Sequence, residues 1–172
     1  MSGGLNWVRA DEHPELLADP VLAAVRGRED ARVAPIDPEL ADTAQFCERY
    51  GMPLATSANC VVVAARRGGE VSYAACMVPA TQRADVNGIV RRRLGARKIS
   101  FAPMDEATGL TGMEYGGITP LGLPEGWPVL VDEAVAAEAE VVVGSGVRRS
   151  KLLVPGKLLA DLPGAEVLAL TR

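Results

Sequence analysis

The 172-residue chain holds one histidine, His13, and three cysteines, Cys47, Cys60 and Cys76. A Ser-His-Asp or Cys-His arrangement needs an imidazole beside its nucleophile. His13 stands next to Pro14 in a polar amino-terminal segment and reads as a surface residue. The cysteines are odd in number, far apart and without a CxxC pair, so no zinc site follows from them and a reduced, cytoplasmic setting is expected. Neither GxxxxGK[ST] nor GxGxxG before a helix is present, which removes the usual marks of a phosphate cradle. Backbone chemistry is what remains. Residues 111–124, Thr-Gly-Met-Glu-Tyr-Gly-Gly-Ile-Thr-Pro-Leu-Gly-Leu-Pro, contain the paired Gly116 and Gly117 and end a tight segment with Pro120. Paired glycines reach positive φ and bring peptide N–H groups close to a ligand, where they can hold a carbonyl or a developing oxyanion. A tight structural crossover would use the same glycines. A second turn, Gly144-Ser145-Gly146, follows an apolar run and serves either as the opposite wall of a pocket or as an ordinary strand end.

Hydrophobic residues make up 48% and charged residues 23%, values typical of a folded globular domain and incompatible with disorder. The length suits one domain. Aromatics are 4%, too few for a base-stacking platform along a single strand. The formal charge of -4 opposes non-specific binding to a polyanion, so any nucleic acid contact must be local. No signal-peptide pattern and no run of 18 apolar residues occurs, so no membrane association is expected.

The elements that would position these loops are short and mixed. Periodicity and caps predict one or two helices over 13–26, a helix over 42–51 closed by Gly51, and a helix over 85–94 closed by Gly95. Further helices are expected over 103–110, around Val135 and over 156–162. Strands are expected at 60–65, 71–78, 98–102, 129–131, 140–143, 151–154 and 167–170, the first two as an antiparallel hairpin. Residues 111–128 read as loop. The sum is an α/β (α+β) fold, a mixed and largely antiparallel barrel-like sheet flanked by helices. Residues 31–172 would form its core, and 1–30 an added helical arm.

The two loops, in their order and separation, resemble the YbaK/prolyl-tRNA synthetase-associated family of aminoacyl-tRNA editing domains. The matching parts are Thr111-Gly112, the loop Gly116-Gly-Ile-Thr-Pro120, Gly122, the run Val129-Leu-Val-Asp132 and the later Val141-Val-Val-Gly-Ser-Gly146, with Tyr50-Gly51 and Arg83-Ala-Asp85 upstream. The resemblance implies hydrolysis of the ester that joins a wrong amino acid to the tRNA 3′ end, without a cofactor or metal. Its implied partners are that 3′ end and an aminoacyl-tRNA synthetase. It makes Gly116 and Gly117 backbone donors and places Ile118, Thr119, Pro120, Gly144, Ser145 and Gly146 around the substrate.

One position departs from the family pattern. Its deacylases carry a functional lysine at the loop-to-strand junction, where this chain has Asn59, or Cys60 if the alignment slips by one. An amide can hydrogen-bond an ester carbonyl but cannot offset negative charge, so weaker or differently organised catalysis is expected. Cys60 begins an apolar strand and reads as a buried, inert thiol. The lysines are Lys98, Lys151 and Lys157, and Lys151, just beyond the second loop, is the first candidate to replace the missing ammonium. Arg148 and Arg149 are expected to contact tRNA phosphates, whereas Arg91, Arg92 and Arg93 with Arg97 and Lys98 read as a solvated face. A non-catalytic module binding an aminoacyl group, tRNA end or small metabolite is the main rival reading, and a hydrolase of unrelated esters is a third.

Overall fold

A computed structural model describes residues 4–172. Among these residues, nine strands form two sheets. The first contains β1 (Val8–Arg9), β2 (Arg32–Pro35), β8 (Ser150–Val154) and β7 (Val141–Gly144) in that order, all antiparallel. The second runs β5 (Lys98–Phe101), β3 (Ala58–Arg67), β4 (Glu70–Pro79), β6 (Val129–Asp132) and β9 (Ala165–Leu168). Within it β5, β3 and β4 are antiparallel, while β6 and β9 join parallel. The sheets do not close into a barrel. They touch where Ser57, just before β3, bridges Val142 of β7.

Side-chain alternation along the strands sorts the apolar residues into three clusters. Val33, Val143, Leu152 and Val154 of the first sheet meet Met77, Val129 and Val131 of the second in the central cluster. The opposite face of the first sheet, with Ala34, Val142 and Leu153, is covered by Phe46, Cys47 and Tyr50 of the helix Thr43–Tyr50. The outer face of the second sheet, with Val63, Cys76 and Leu130, is covered by Val86 and Val90, from a π-helical turn (Val86–Val90) that runs into the helix Arg91–Leu94. Numbered in chain order, the α-helices are α1 (Asp19–Val25), α2 (Thr43–Tyr50), α3 (Arg91–Leu94), α4 (Met104–Thr111), α5 (Glu133–Ala136) and α6 (Gly156–Ala160). No described helix is long and apolar enough to cross a membrane.

The mixed, largely antiparallel architecture agrees with the expectation, and four details differ. The strands β3 and β4 are ten residues each, longer than the apolar runs at their centres. A tight Gly68–Gly69 turn, both glycines at positive φ, lets pairing continue to Arg67 and Glu70. The strand β2 carries no alternation of its own and is held by pairing with β8. The amino-terminal segment is not an added arm, because β1 pairs with β2 and Ala10, Leu17, Val21 and Val25 are buried in the central cluster. Helix α4 also ends one residue later than the expected Leu110, at Thr111 with Gly112 as its left-handed C-cap.

Met77 is fully buried between the sheets. Met77→Ala is expected to cost about 2–5 kcal/mol, read as a lower urea midpoint with an unchanged m-value.

Candidate active site

The strand alternation that builds the core also decides what faces α2. On β8, Leu152 and Val154 enter the central cluster, so Lys151 and Leu153 face the opposite way, toward α2. The strand neighbours of Lys151 are Ala34 on β2 and Gly144 on β7, two of the smallest residues available. The lysine stem therefore has room to lie on the sheet, and its Nζ stands 5.4 Å from the centroid of the Phe46 ring. Lys151 is only 6% exposed, yet its ammonium has no hydrogen-bonding or ionic partner among the described residues. Burial pulls its pKa down to about 8, with Arg148 adding to the fall and the Cys47 thiol and the Asp42 carboxylate opposing it.

Lys151 lines a cleft of about 530 Å³ together with Asn59, Gly116, Ile118 and Gly144, a size within the usual range of small-molecule sites. Cys60, Met104 and Tyr115 also face it, and Asp42 and Thr43 at the start of α2 close one side. The Thr43 hydroxyl donates to Asn59 Oδ1 at 2.6 Å. That bond occupies the acceptor end of the amide and leaves its NH₂ for the cleft. Asp42 is the N-cap of α2 but makes no side-chain capping bond, so its carboxylate is not consumed by the helix.

The glycine loop is held by backbone contacts. Gly146 N–H donates to the Gly117 carbonyl at 2.7 Å, and Glu114 N–H to the Gly146 carbonyl at 2.8 Å. A Cβ on Gly117 would lie 2.8 Å from the Val147 backbone nitrogen, and one on Gly144 2.6 Å from the Gly117 carbonyl oxygen, so neither position admits a side chain without moving the main chain. Arg148 straps the loop from outside, donating from its guanidinium to the carbonyls of Tyr115 and Pro38 and from its backbone N–H to Glu114 Oε1. Within this lock, among the described residues, no acceptor takes the N–H of Gly116 or of Ile118. Two unclaimed peptide donors thus belong to residues lining the cleft that holds the buried ammonium.

The structure divides the expected site residues. Asn59, Gly116, Ile118, Gly144 and Lys151 line one cleft. Gly117 does not serve as the second donor, because its N–H is spent on the Glu114 carbonyl at 2.9 Å. Ser145 is fully buried, its hydroxyl bonded to the carbonyls of Val147 and Ser150 and to the Ser150 hydroxyl. Thr119 is fully buried behind the loop, and its Oγ1 has no partner. Gly146 packs on Ala18 of the amino-terminal segment. Pro120 lines a separate, mainly apolar cavity of about 710 Å³ between α1 and α6. The guanidinium of Arg149 donates twice to the Glu15 carbonyl, anchoring the amino-terminal segment. Both arginines expected on phosphates are thus engaged with main-chain carbonyls. Burial pushes the Cys60 thiol far above its usual pKa, which rules out a ready thiolate. Among the described residues no group of three or more His, Cys, Asp or Glu side chains is placed to hold a metal ion. Sequence reading missed Asp42 and Thr43, whose only signal was their capping position ahead of α2.

The depressed Lys151 pKa carries a stability signature. Below pH 8 the amine is charged in both folded and unfolded chains, and the full cost of its burial is present. Above pH 8 the folded chain releases the proton first, while the unfolded chain keeps it to about 10.5. Relative to Lys151→Met, wild-type stability should therefore rise by about 3 kcal/mol between pH 8 and 10.5, measured as the difference between the two urea-unfolding profiles. A flat difference would show that the amine is solvated.

Comparisons with known proteins give the same region a family. The model of the aminoacyl-tRNA editing domain matches residues 37–162. No curated protein matches the chain. Among solved structures, a candidate trans-editing enzyme for prolyl tRNA synthetase is similar with a TM-score of 0.76 at 24% identity, over 90% of this chain and 96% of that one. The hypothetical protein APE2540 is similar at 0.73 and 20% identity, over 83% and 91%. A third, a signal-transduction candidate from Marinobacter aquaeolei VT8, gives 0.59 at 16% identity, over 88% of this chain and 30% of that one. These likenesses establish a common fold, and the family match over most of the chain, cleft included, shows that the protein belongs to the aminoacyl-tRNA editing domain family.

Proposed function

We propose that the cleft hydrolyses the ester of a mischarged aminoacyl-tRNA in trans. The observation that carries this reading is a buried ammonium, Lys151, with no hydrogen-bonding or ionic partner among the described residues, sharing one cleft with the unclaimed amides of Gly116 and Ile118 and the amide of Asn59. An aminoacyl ester carries a cationic α-ammonium at one end and a carbonyl that turns anionic under attack at the other. The cleft offers the complement of both charges. Asp42 receives the α-ammonium, while Lys151 and the N–H donors hold the carbonyl oxygen. Water adds to the carbonyl carbon and the bond to the ribose oxygen breaks. That oxygen leaves with a proton, giving free amino acid and uncharged tRNA. Preset donors need no reorganisation as charge develops, and a low-dielectric setting strengthens a cation that water would screen. Lys151 in this role supplies, from β8, the charge that Asn59 on β3 does not.

A second reading has its own support. By the family resemblance Asn59, or Cys60 if the alignment slips by one, takes the place of the family's lysine, and a cleft with one polar neutral wall also suits an aminoacyl-binding module without turnover. Deacylation of a panel of mischarged tRNAs decides between them. The hydrolase reading expects turnover of one amino-acid class, lowered about 100-fold or more in kcat by Lys151→Met with little change in KM. Gly116→Val should abolish it, since Gly116 sits at φ +82 with the Arg148 guanidinium where a Cβ would go. Asp42→Asn should raise KM for the free-amine ester and leave its N-acetylated counterpart unaffected. Tight binding of every mischarged tRNA without turnover would establish the module instead.

A further inference from the structure

The end of β3 and the stretch from α3 into β5 bring basic side chains together at the end of β3 remote from the cleft. Arg66 and Arg67 close that strand, Lys98 opens β5 directly opposite Arg66, and Arg97 donates its backbone N–H to the Arg66 carbonyl at 2.9 Å. Arg67 reaches across to the Gly95 carbonyl at 2.9 Å, which ties the end of α3, with Arg91, Arg92 and Arg93, to the same corner. Arg93 is paired with Glu166. Arg66, Arg92, Arg97 and Lys98 are exposed and have no carboxylate partner among the described residues. In a chain of net charge -4, such a corner is a local reversal of sign.

Its position relative to the cleft suggests what it holds. Asn59 and Arg66 lie on one strand seven residues apart, about 23 Å at the rise of a β-strand. Along the neighbouring edge strand the exposed Phe101 (65% accessible) stands opposite Val63, between the cleft and the basic corner. By strand alternation Asn59 and Phe101 lie on one face of the sheet and Arg66 and Lys98 on the other, so an RNA whose single-stranded 3′ end enters the cleft would run along the β5 edge, where the stem behind it meets the basic side chains. Arg148 and Arg149, nearer the cleft, already spend their guanidiniums on carbonyls.

We propose that Arg66, Arg92, Arg97 and Lys98 dock the phosphodiester backbone of the acylated RNA's stem while its 3′ end occupies the cleft. The inference rests on the aminoacyl-tRNA reading of the cleft, and it concerns backbone charge, so it requires no base recognition.

The test compares wild type with the triple variant Arg66→Glu/Arg97→Glu/Lys98→Glu and its milder Gln counterpart, each checked for native thermal unfolding. Binding of deacylated tRNA is followed over a salt series, and hydrolysis is followed on mischarged tRNA and on adenosine carrying the same amino acid at its 3′ oxygen. Docking predicts at least tenfold weaker tRNA binding by the Glu variant at low salt. It also predicts a log–log salt slope shallower by about 2–3 and a higher KM for tRNA at unchanged kcat. Hydrolysis of the adenosine ester should be untouched, and the Gln variant should fall between. Unchanged tRNA affinity, equal losses on both esters, or wild-type tRNA binding without salt dependence would overturn the proposal, as would loss of binding to phosphatidylserine vesicles with tRNA binding intact. Should wild type hydrolyse neither ester, the hydrolase reading fails, and the salt series still decides whether this corner binds RNA.

Discussion

The site depends on two loops approaching main chain to main chain at a distance that excludes a Cβ. Gly117 lies against the Val147 backbone and Gly144 against the Gly117 carbonyl, with Gly146 N–H closing the contact. Backbone hydrogen bonds at such separations set geometry more tightly than side-chain packing can, because peptide units have few soft torsions. The lock consumes the amides of Gly117 and Gly146 and leaves those of Gly116 and Ile118 unclaimed. It also keeps β7 free of a side chain beside Lys151. The amino-terminal segment reinforces the lock: Ala18 donates to the Ser145 carbonyl, and the Ser150 hydroxyl holds the Leu16 carbonyl.

Lys151 is the costly element of this arrangement. A buried ammonium without an acceptor opposes folding, and the Phe46 ring offsets only part of the penalty. An apolar residue of similar volume would pack the same space at lower cost. Retaining a destabilising charge beside unclaimed donors is the pattern expected of a site that meets an electron-rich group. Neighbouring Asp42, left out of its own helix cap, gives the cleft two signs of charge on facing walls. An ordinary ester would use only one of them.

The surface follows a different logic. Arg148 and Arg149, near the cleft, are engaged within the fold by main-chain carbonyls. At the far end of β3 from the cleft, Arg66, Arg92, Arg97 and Lys98 stand together without acid partners among the described residues. The proposed RNA-docking corner and the proposed ester site thus lie at opposite ends of one strand.

Much was legible in the sequence because local rules act locally. The helix over 42–51 follows from its spacing and Gly51, the hairpin of β3 and β4 from two apolar runs around Gly68–Gly69, and the importance of the 116–120 loop from its glycines and proline. The family likeness rested on those same residues. What the chain could not announce was which partner each polar group would meet. Gly116 and Gly117 are equivalent on paper, and only the Glu114 carbonyl distinguishes the free donor from the spent one. Arg148 and Arg149 read as phosphate ligands until carbonyls more than 30 residues away claim them. Composition and periodicity determine elements through forces between near neighbours. The placement of a buried ammonium beside unclaimed amides requires β2, β7, β8 and α2 to assemble first, since desolvation and hydrogen-bond competition are properties of the packed whole.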